Sequence, residues 1–220
     1  MSSIAIFCDF DGTITEQDNI ISLMEQFAPS SWESLKNAVL SEQMSIQEGV
    51  GKMFSLLPTS LKEDIVQYLL EKATIREGFA EFVRFTNKRD IPFYVVSGGI
   101  DFFVNPLLSP YKGITNIYCN RGNFTGDTIR IEWPYPCDDD CLGGCGCCKP
   151  SLIRSISQNS TYRVVIGDSI TDWKAAQLAD FVLARGLLLE KCREHELPHA
   201  PFENFFDCIY VIEQLLEVNI

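Results

Sequence analysis

The stretch IAIFCDFDGTIT, residues 4–15, decides how the fold is read. Residues 4–8 are apolar, few, and bounded by turn formers, which is the pattern of a strand buried on both faces. The run stops at Asp9 and Asp11, two positions apart, with Gly12 and Thr13 behind them. Either aspartate alone could serve as a helix cap. Two carboxylates delivered by one buried strand to its own tip need a further reason, and the rest of the chain supplies it.

From residue 18 to residue 73 the pattern turns helical. Three S-x-x-E capping signals start at Ser30, Ser45 and Ser60, and Ile46, Val50, Met53, Phe54 and Leu57 recur at helical spacing. Beyond residue 74 strand and helix alternate. The spacing predicts helices over 79–88, 102–108, 149–157, 171–178 and 208–217, and strands over 93–96, 114–119, 163–166 and 181–184. NFTGDTIRIEW, residues 123–133, reads as a hairpin ended by Pro134 and Pro136. Strands alternating with helices imply an α/β fold, a Rossmann-like parallel sheet with helices on both faces. Residues 1–15 and 74–220 make up this core, with the hairpin and a cysteine-rich loop at about 120–148, and residues 16–73 are an inserted helical segment.

Composition bounds the function. Thirty acidic and 18 basic residues give a net charge of −12, which argues against a nucleic-acid surface. No stretch reaches the ~20 apolar residues of a membrane span, and MSSIAIF lacks the basic and long apolar regions of a signal peptide. The expectation is a cytoplasmic protein without a membrane partner, in which nine cysteines are not a disulfide framework. The sequence sets no oligomeric state.

In a sheet of this kind ligands bind at the carboxyl ends of the strands. FYVVSGG ends in Ser97, Gly98 and Gly99; VVIGDSITD ends in Asp168 and Asp172; CCKP places Lys149 at a helix start. DFDGTIT, VVSGG, Lys149 and GDSITD together resemble the four motifs of the haloacid dehalogenase-like superfamily, most of whose members are phosphatases. The resemblance implies Asp9 as a nucleophile that becomes an aspartyl-phosphate, and Asp11 as general acid and then base. It implies Ser97 and Gly98 as ligands of the phosphoryl oxygens and Lys149 as their counter-charge. Mg²⁺ would be held by Asp9, Asp11 (through its carbonyl) and Asp168. Asp172 would support Lys149 or the metal; a plain helix-start carboxylate is the other reading. The insert at 16–73 falls where this superfamily carries a cap that closes over the site. Glu16, Asp18 and Asn19 lie near the catalytic loop and could face substrate, although Asp18 could equally cap the first insert helix. The partner implied is a small-molecule phosphate ester. DNII, EGVGKMFSLLP, IREGF, IPFYVVSGG, YCN and CGCCKP further resemble the methionine-salvage branch of the superfamily. A phosphoserine- or phosphocholine-type phosphatase shares the motifs and remains an alternative. Met24, Phe27, Met53 and Phe54 could line a substrate pocket, but core packing is the simpler reading.

CDDDCLGGCGCCKP sets Cys137, Cys141, Cys145, Cys147 and Cys148 within twelve residues. Such density among glycines suggests thiolate ligation of a structural Zn²⁺. A redox-labile cluster or unligated thiols are the alternatives, and a non-catalytic metal-binding module built around the cysteines is the alternative for the whole chain. His195 and His199 read as surface-loop residues without a role.

Overall fold

The computed structural model describes residues 3–141, 143–158 and 160–218. Its strands are β1 (Ser3–Cys8), β2 (Phe93–Ile100), β3 (Asn116–Asn123), β4 (Arg130–Glu132), β5 (Thr161–Gly167), β6 (Phe181–Ala184) and β7 (His199–Pro201). They form one sheet in the order β4-β3-β2-β1-β5-β6-β7, parallel throughout except for β4, which runs antiparallel to β3 at the edge. Four α-helices follow β1: α1 (Asn19–Phe27), α2 (Trp32–Leu40), α3 (Ile46–Phe54) and α4 (Lys62–Lys72). The others are α5 (Phe79–Lys88), α6 (Asp101–Leu108), α7 (Lys149–Ile156), α8 (Trp173–Ala176), α9 (Gly186–Glu194) and α10 (Phe205–Glu217). Among the described residues no helix is long and apolar enough to cross a membrane.

β1 is central, and its side chains feed two cores. Ile4, Ile6 and Cys8 pack with Phe79, Phe82 and Phe205 on one face, and Ala5 and Phe7 with Leu152, Ile153 and Ala175 on the other. Each large side chain buried this way contributes roughly 1.5–3 kcal/mol. That two-sided burial is why residues 4–8 are apolar without alternation. From β1 the chain builds β2 and β3 on one side, then crosses over to build β5, β6 and β7 on the other. Helices diverge at such a switch point and leave a crevice at the carboxyl ends of the two strands beside it, here β1 and β5.

The four insert helices leave and rejoin this core through paired backbone. Thr15 and Ile75 form an antiparallel bridge, and the Glu16 amide donates to the Thr74 carbonyl at 2.9 Å. The far end of the insert leans on the β3–β4 turn, where the Ile129 amide donates to the Leu57 carbonyl at 2.9 Å. Met24, Met53 and Phe54 are buried in the core and Phe27 is half-buried, so packing accounts for these four residues.

Several local expectations are corrected. Of the three serine caps only Ser45 forms, its Oγ accepting from the Glu48 amide at 3.1 Å. Ser31 rather than Ser30 precedes α2, and a 3-10 turn, Thr59–Leu61, takes the place of a cap before α4. The strand expected at 114–119 and the first arm of the hairpin are one strand, β3. β2 runs on through Ser97, Gly98 and Gly99, and its register against β3 shifts between Val96 and Ile100. α9 and β7 carry too little periodicity to be read from sequence. His199, expected in a loop, lies in β7 beside Val182.

Candidate active site

β1 stops at Cys8, but the Asp9 amide still donates to the Ile166 carbonyl of β5 at 2.9 Å. Asp9 is thus fixed on the last rung of the ladder, in the crevice, with 6% of its surface exposed. The chain must then turn away past Asp168. Gly12 makes this possible: its φ is +79°, and a β-carbon there would collide with the Asp168 carboxylate. The Thr13 hydroxyl donates to Asp168 Oδ1 at 3.0 Å.

Lys149 opens α7. A cation there opposes the helix dipole, so the position needs another cause. Its Nζ lies 2.7 Å from Asp9 Oδ1 and 2.5 Å from Asp172 Oδ1, and all three side chains are buried. Burial lowers the pKa of the ammonium; Asp172 and Asp9 outweigh it, raise the pKa and hold Lys149 charged. Asp172 is occupied on both oxygens, because Oδ2 accepts from the amides of Asp168 (3.2 Å) and Ser169 (3.1 Å). It therefore both caps the turn after β5 and orients Lys149.

Asp11 lies across the crevice from this trio. Its Oδ1 accepts from the Asn19 amide at 3.0 Å and from Asn19 Nδ2 at 2.7 Å. A methyl group placed on Gly99 would stand 2.9 Å from Asp11 Oδ2 and 3.0 Å from Ser97 Oγ, so these two groups converge on one point. Ser97 is fully buried, and its Oγ accepts from the Gly99 amide at 2.8 Å.

The electrostatics follow from crowding acids in a dry crevice. Burial, then the charges of Asp172 and Asp168, push the Asp9 carboxyl well above its ordinary range against the pull of Lys149. Burial and Asp172 push Asp168 up to about 6. Burial and Asp18 push Asp11 up to about 7, opposed by both Asn19 hydrogen bonds. Asp9, Asp168 and Asp172 bring carboxylate oxygens within 4.8 Å of one another. An all-oxygen donor set whose mutual repulsion a cation would relieve suits a hard divalent ion. Because Asp172 is engaged elsewhere, Asp9 and Asp168 are the carboxylates left to hold one.

The structure thus gathers Asp9, Asp11, Ser97, Lys149, Asp168 and Asp172 at one crevice. Asp18 accepts from the Ile21 amide at 3.0 Å and caps α1, and Glu16 is exposed. Asn19 faces Asp11. A cleft of about 390 Å³ opens beside Asp18 and Asn19, lined also by Ser22, Glu25, Tyr68 and Lys72. Two supporting residues lie inside the IREGF and YCN stretches, which assign them no individual role. Arg76 is buried, and its guanidinium donates to the carbonyls of Gly12 and Thr13, both at 2.8 Å, clamping the loop that follows the aspartates. Asn120 Nδ2 donates to the Gly98 carbonyl at 2.7 Å and steadies the bulged end of β2. Of the five loop cysteines, Cys137, Cys141, Cys145 and Cys148 come together; Cys147 is buried apart from them, its Sγ 3.7 Å from the Tyr118 carbonyl.

A parallel sheet with aspartates at its switch point, a strand-end serine and a helix-start lysine defines a hydrolase class, and comparison with known proteins agrees. The profile of the haloacid dehalogenase-like hydrolases matches residues 6–177, and the chain belongs to that family. A protein of Geobacillus thermodenitrificans named 2-hydroxy-3-keto-5-methylthiopentenyl-1-phosphate phosphatase is 58% identical over 212 residues, 96% of each chain. A protein of Bacillus cereus with the same name is 51% identical over 218 residues, 99% of this chain and 100% of that one. Among solved structures, a phospho-aspartyl intermediate analogue of a phosphoserine phosphatase superposes with a TM-score of 0.70 at 18% identity, covering 96% of this chain and 99% of that one. The phosphoserine phosphatase of T. onnurineus gives 0.71 at 14% identity, covering 96% and 94%. At those identities the structures speak for the fold.

Proposed function

We propose that the chain is a Mg²⁺-dependent phosphomonoester hydrolase that dephosphorylates 2-hydroxy-3-keto-5-methylthiopentenyl-1-phosphate to the 1,2-dihydroxy acireductone of methionine salvage. The observation that carries the chemistry is the Lys149 ammonium seated between Asp9 and Asp172 at the switch point. The substrate is carried by the full-length identity to relatives bearing that name.

Asp9 attacks phosphorus and the bond to the leaving oxygen breaks, so that the phosphoryl group rests on the Asp9 carboxylate. Asp11 gives its proton to the departing oxygen, then takes one from the water that hydrolyses the aspartyl-phosphate. The Ser97 hydroxyl and Gly98 amide bind phosphoryl oxygens, and Lys149 offsets their charge. Asp9 and Asp168 through their carboxylates, with the Asp11 carbonyl, would hold Mg²⁺, which supplies positive charge for the phosphoryl oxygens when bound. Residues 16–73 act as the cap, hinged at the Thr15–Ile75 bridge, and exclude water when closed.

The leaving group discriminates between readings. An enol oxygen departs as a weaker base than the alkoxide of serine, so it demands less of Asp11. In a panel of the enol phosphate, phosphoserine and phosphocholine, the enol phosphate is expected to lead in kcat/KM by about 10²-fold or more. Leadership by phosphoserine or phosphocholine would transfer the chain to that branch, and absence of Mg²⁺-dependent hydrolysis of any ester would leave the cysteine-centred binding module.

The alkaline side of the pH profile tests Asp11. The acid must enter the cycle protonated, so kcat/KM should fall above about pH 7 as Asp11 ionises. Asn19→Ala removes a hydrogen bond that favours the carboxylate, so the limb should move to higher pH. Asp18→Asn removes a like charge while keeping a capping side chain, so the limb should move lower. Limbs that stay put in both variants assign the titration to another group.

A further inference from the structure

The loop joining β4 to α7 holds a second cluster, built of thiols instead of carboxylates. The Sγ atoms of Cys137, Cys141, Cys145 and Cys148 all lie within 4.8 Å of one another. Those of Cys141 and Cys145 are 3.6 Å apart, and the described cysteines form no disulfide. A tetrahedral thiolate shell with Zn–S bonds of about 2.3 Å sets its sulfurs ~3.8 Å apart. The spacing, C-x3-C-x3-C-x2-C, delivers all four ligands from one short loop. Gly143, Gly144 and Gly146 take φ of +93°, +77° and +76°, which lets the backbone curl around a centre instead of extending past it. Weak thiol contacts do not offset the entropy of ordering so glycine-rich a loop, whereas zinc–thiolate bonds do.

We propose that Cys137, Cys141, Cys145 and Cys148 bind one structural Zn²⁺. The ion ties two parts of the active site together, a consequence that rests on the catalytic reading above. Cys148 is the residue before Lys149, so the site anchors the start of α7. The Gly144 carbonyl accepts from the Gln47 amide at 3.0 Å, so the same loop docks on the first turn of α3 in the insert. Asp138 pairs with Arg154 of α7 at 2.5 Å and closes the near end of the loop onto that helix.

The test is elemental analysis of the full chain, purified without chelator from zinc-containing medium and dialysed without Mg²⁺. The expected result is about one zinc per chain, with the four thiols protected from a disulfide reagent until a strong chelator is added. Co²⁺ exchanged into the site should give the visible bands of a tetrahedral thiolate complex. The Cys141→Ser/Cys145→Ser double variant should lose the metal and Cys147→Ala should retain it. Native protein without zinc whose four thiols react at once overturns the proposal. So does iron in zinc's place, or a Cys141–Cys145 disulfide shown by mass. Asp9→Asn protein, inactive under the catalytic reading, should carry the same zinc, so the two readings fail separately.

Discussion

Asp9→Asn should give a folded protein whose turnover has fallen by roughly 10⁴- to 10⁶-fold, the scale seen when a nucleophile is removed. The substitution preserves shape. The Asn carbonyl oxygen can still accept from Lys149, which lies 2.7 Å from the present Oδ1. What disappears is the carboxylate that forms a bond to phosphorus. The fold should not suffer, and the sign of the effect can be stated. The folded-state pKa of Asp9 is raised, mainly by burial and then by Asp172. A raised carboxylate contributes stability at pH values below its unfolded value and loses it as pH rises toward the folded one. A neutral amide at position 9 has no such loss. Without divalent cation at pH 8, Asp9→Asn should therefore melt at or above the wild-type temperature, and the advantage should shrink toward pH 4. Rapid quench with labelled substrate should trap an acyl-phosphate on the wild type and none on the variant. Turnover within about tenfold of wild type would remove Asp9 from the nucleophile's role.

The sequence was most legible where one residue's neighbours in the chain are also its neighbours in space. Residues 4–8 are a buried strand whatever they pair with, and Asp9 follows it directly. The aspartates at 168 and 172 share a turn, so their nearness is legible, but a supporting role for Asp172 and a plain helix-start carboxylate stay equally open in the sequence. The role of Lys149 is legible only through the superfamily resemblance, because its partners, Asp9 and Asp172, lie 140 and 23 positions away. Arg76 falls inside the IREGF stretch of that resemblance, which gives it no role. It grips carbonyls 63 and 64 positions away, and backbone carbonyls leave no mark in sequence. Asn19 is visible as a polar residue near the loop but its hydrogen-bond partner is not, since only the fold turns it toward Asp11. The sequence pattern of β2 stops at Val96 because a Ser-Gly-Gly run has poor strand propensity, yet pairing resumes past the register shift and carries the strand to Ile100. Four of the five loop cysteines converge because glycines let the loop curl, whereas Cys147 faces Tyr118, a distinction that spacing alone could not make.

Lys149→Met should cost both activity and stability, the latter by about 3–5 kcal/mol, because it breaks a buried ion pair by removing one partner. Methionine fits the volume and keeps helix propensity, so packing is not the cause. Asp9 and Asp172 would remain buried at 6% and 1% exposure with no cation between them. Lys149 is a force holding the Asp9 pKa down, so its loss raises that pKa further. By the same sign rule the added destabilisation is least toward pH 4, near the pKa of an aspartate in the unfolded chain, and grows as pH rises to 8. Melting curves of wild type and variant across that range should diverge with pH. A second substitution, Asp172→Asn, removes one of the stranded charges and should recover much of the stability. The double variant should nonetheless stay inactive, because nothing replaces the ammonium beside the phosphoryl oxygens. That split, in which the fold is rescued and the chemistry is not, separates a lysine that only balances buried charge from one that also serves phosphoryl transfer. Equal melting of Lys149→Met and wild type at pH 8, or an active double variant, would contradict it.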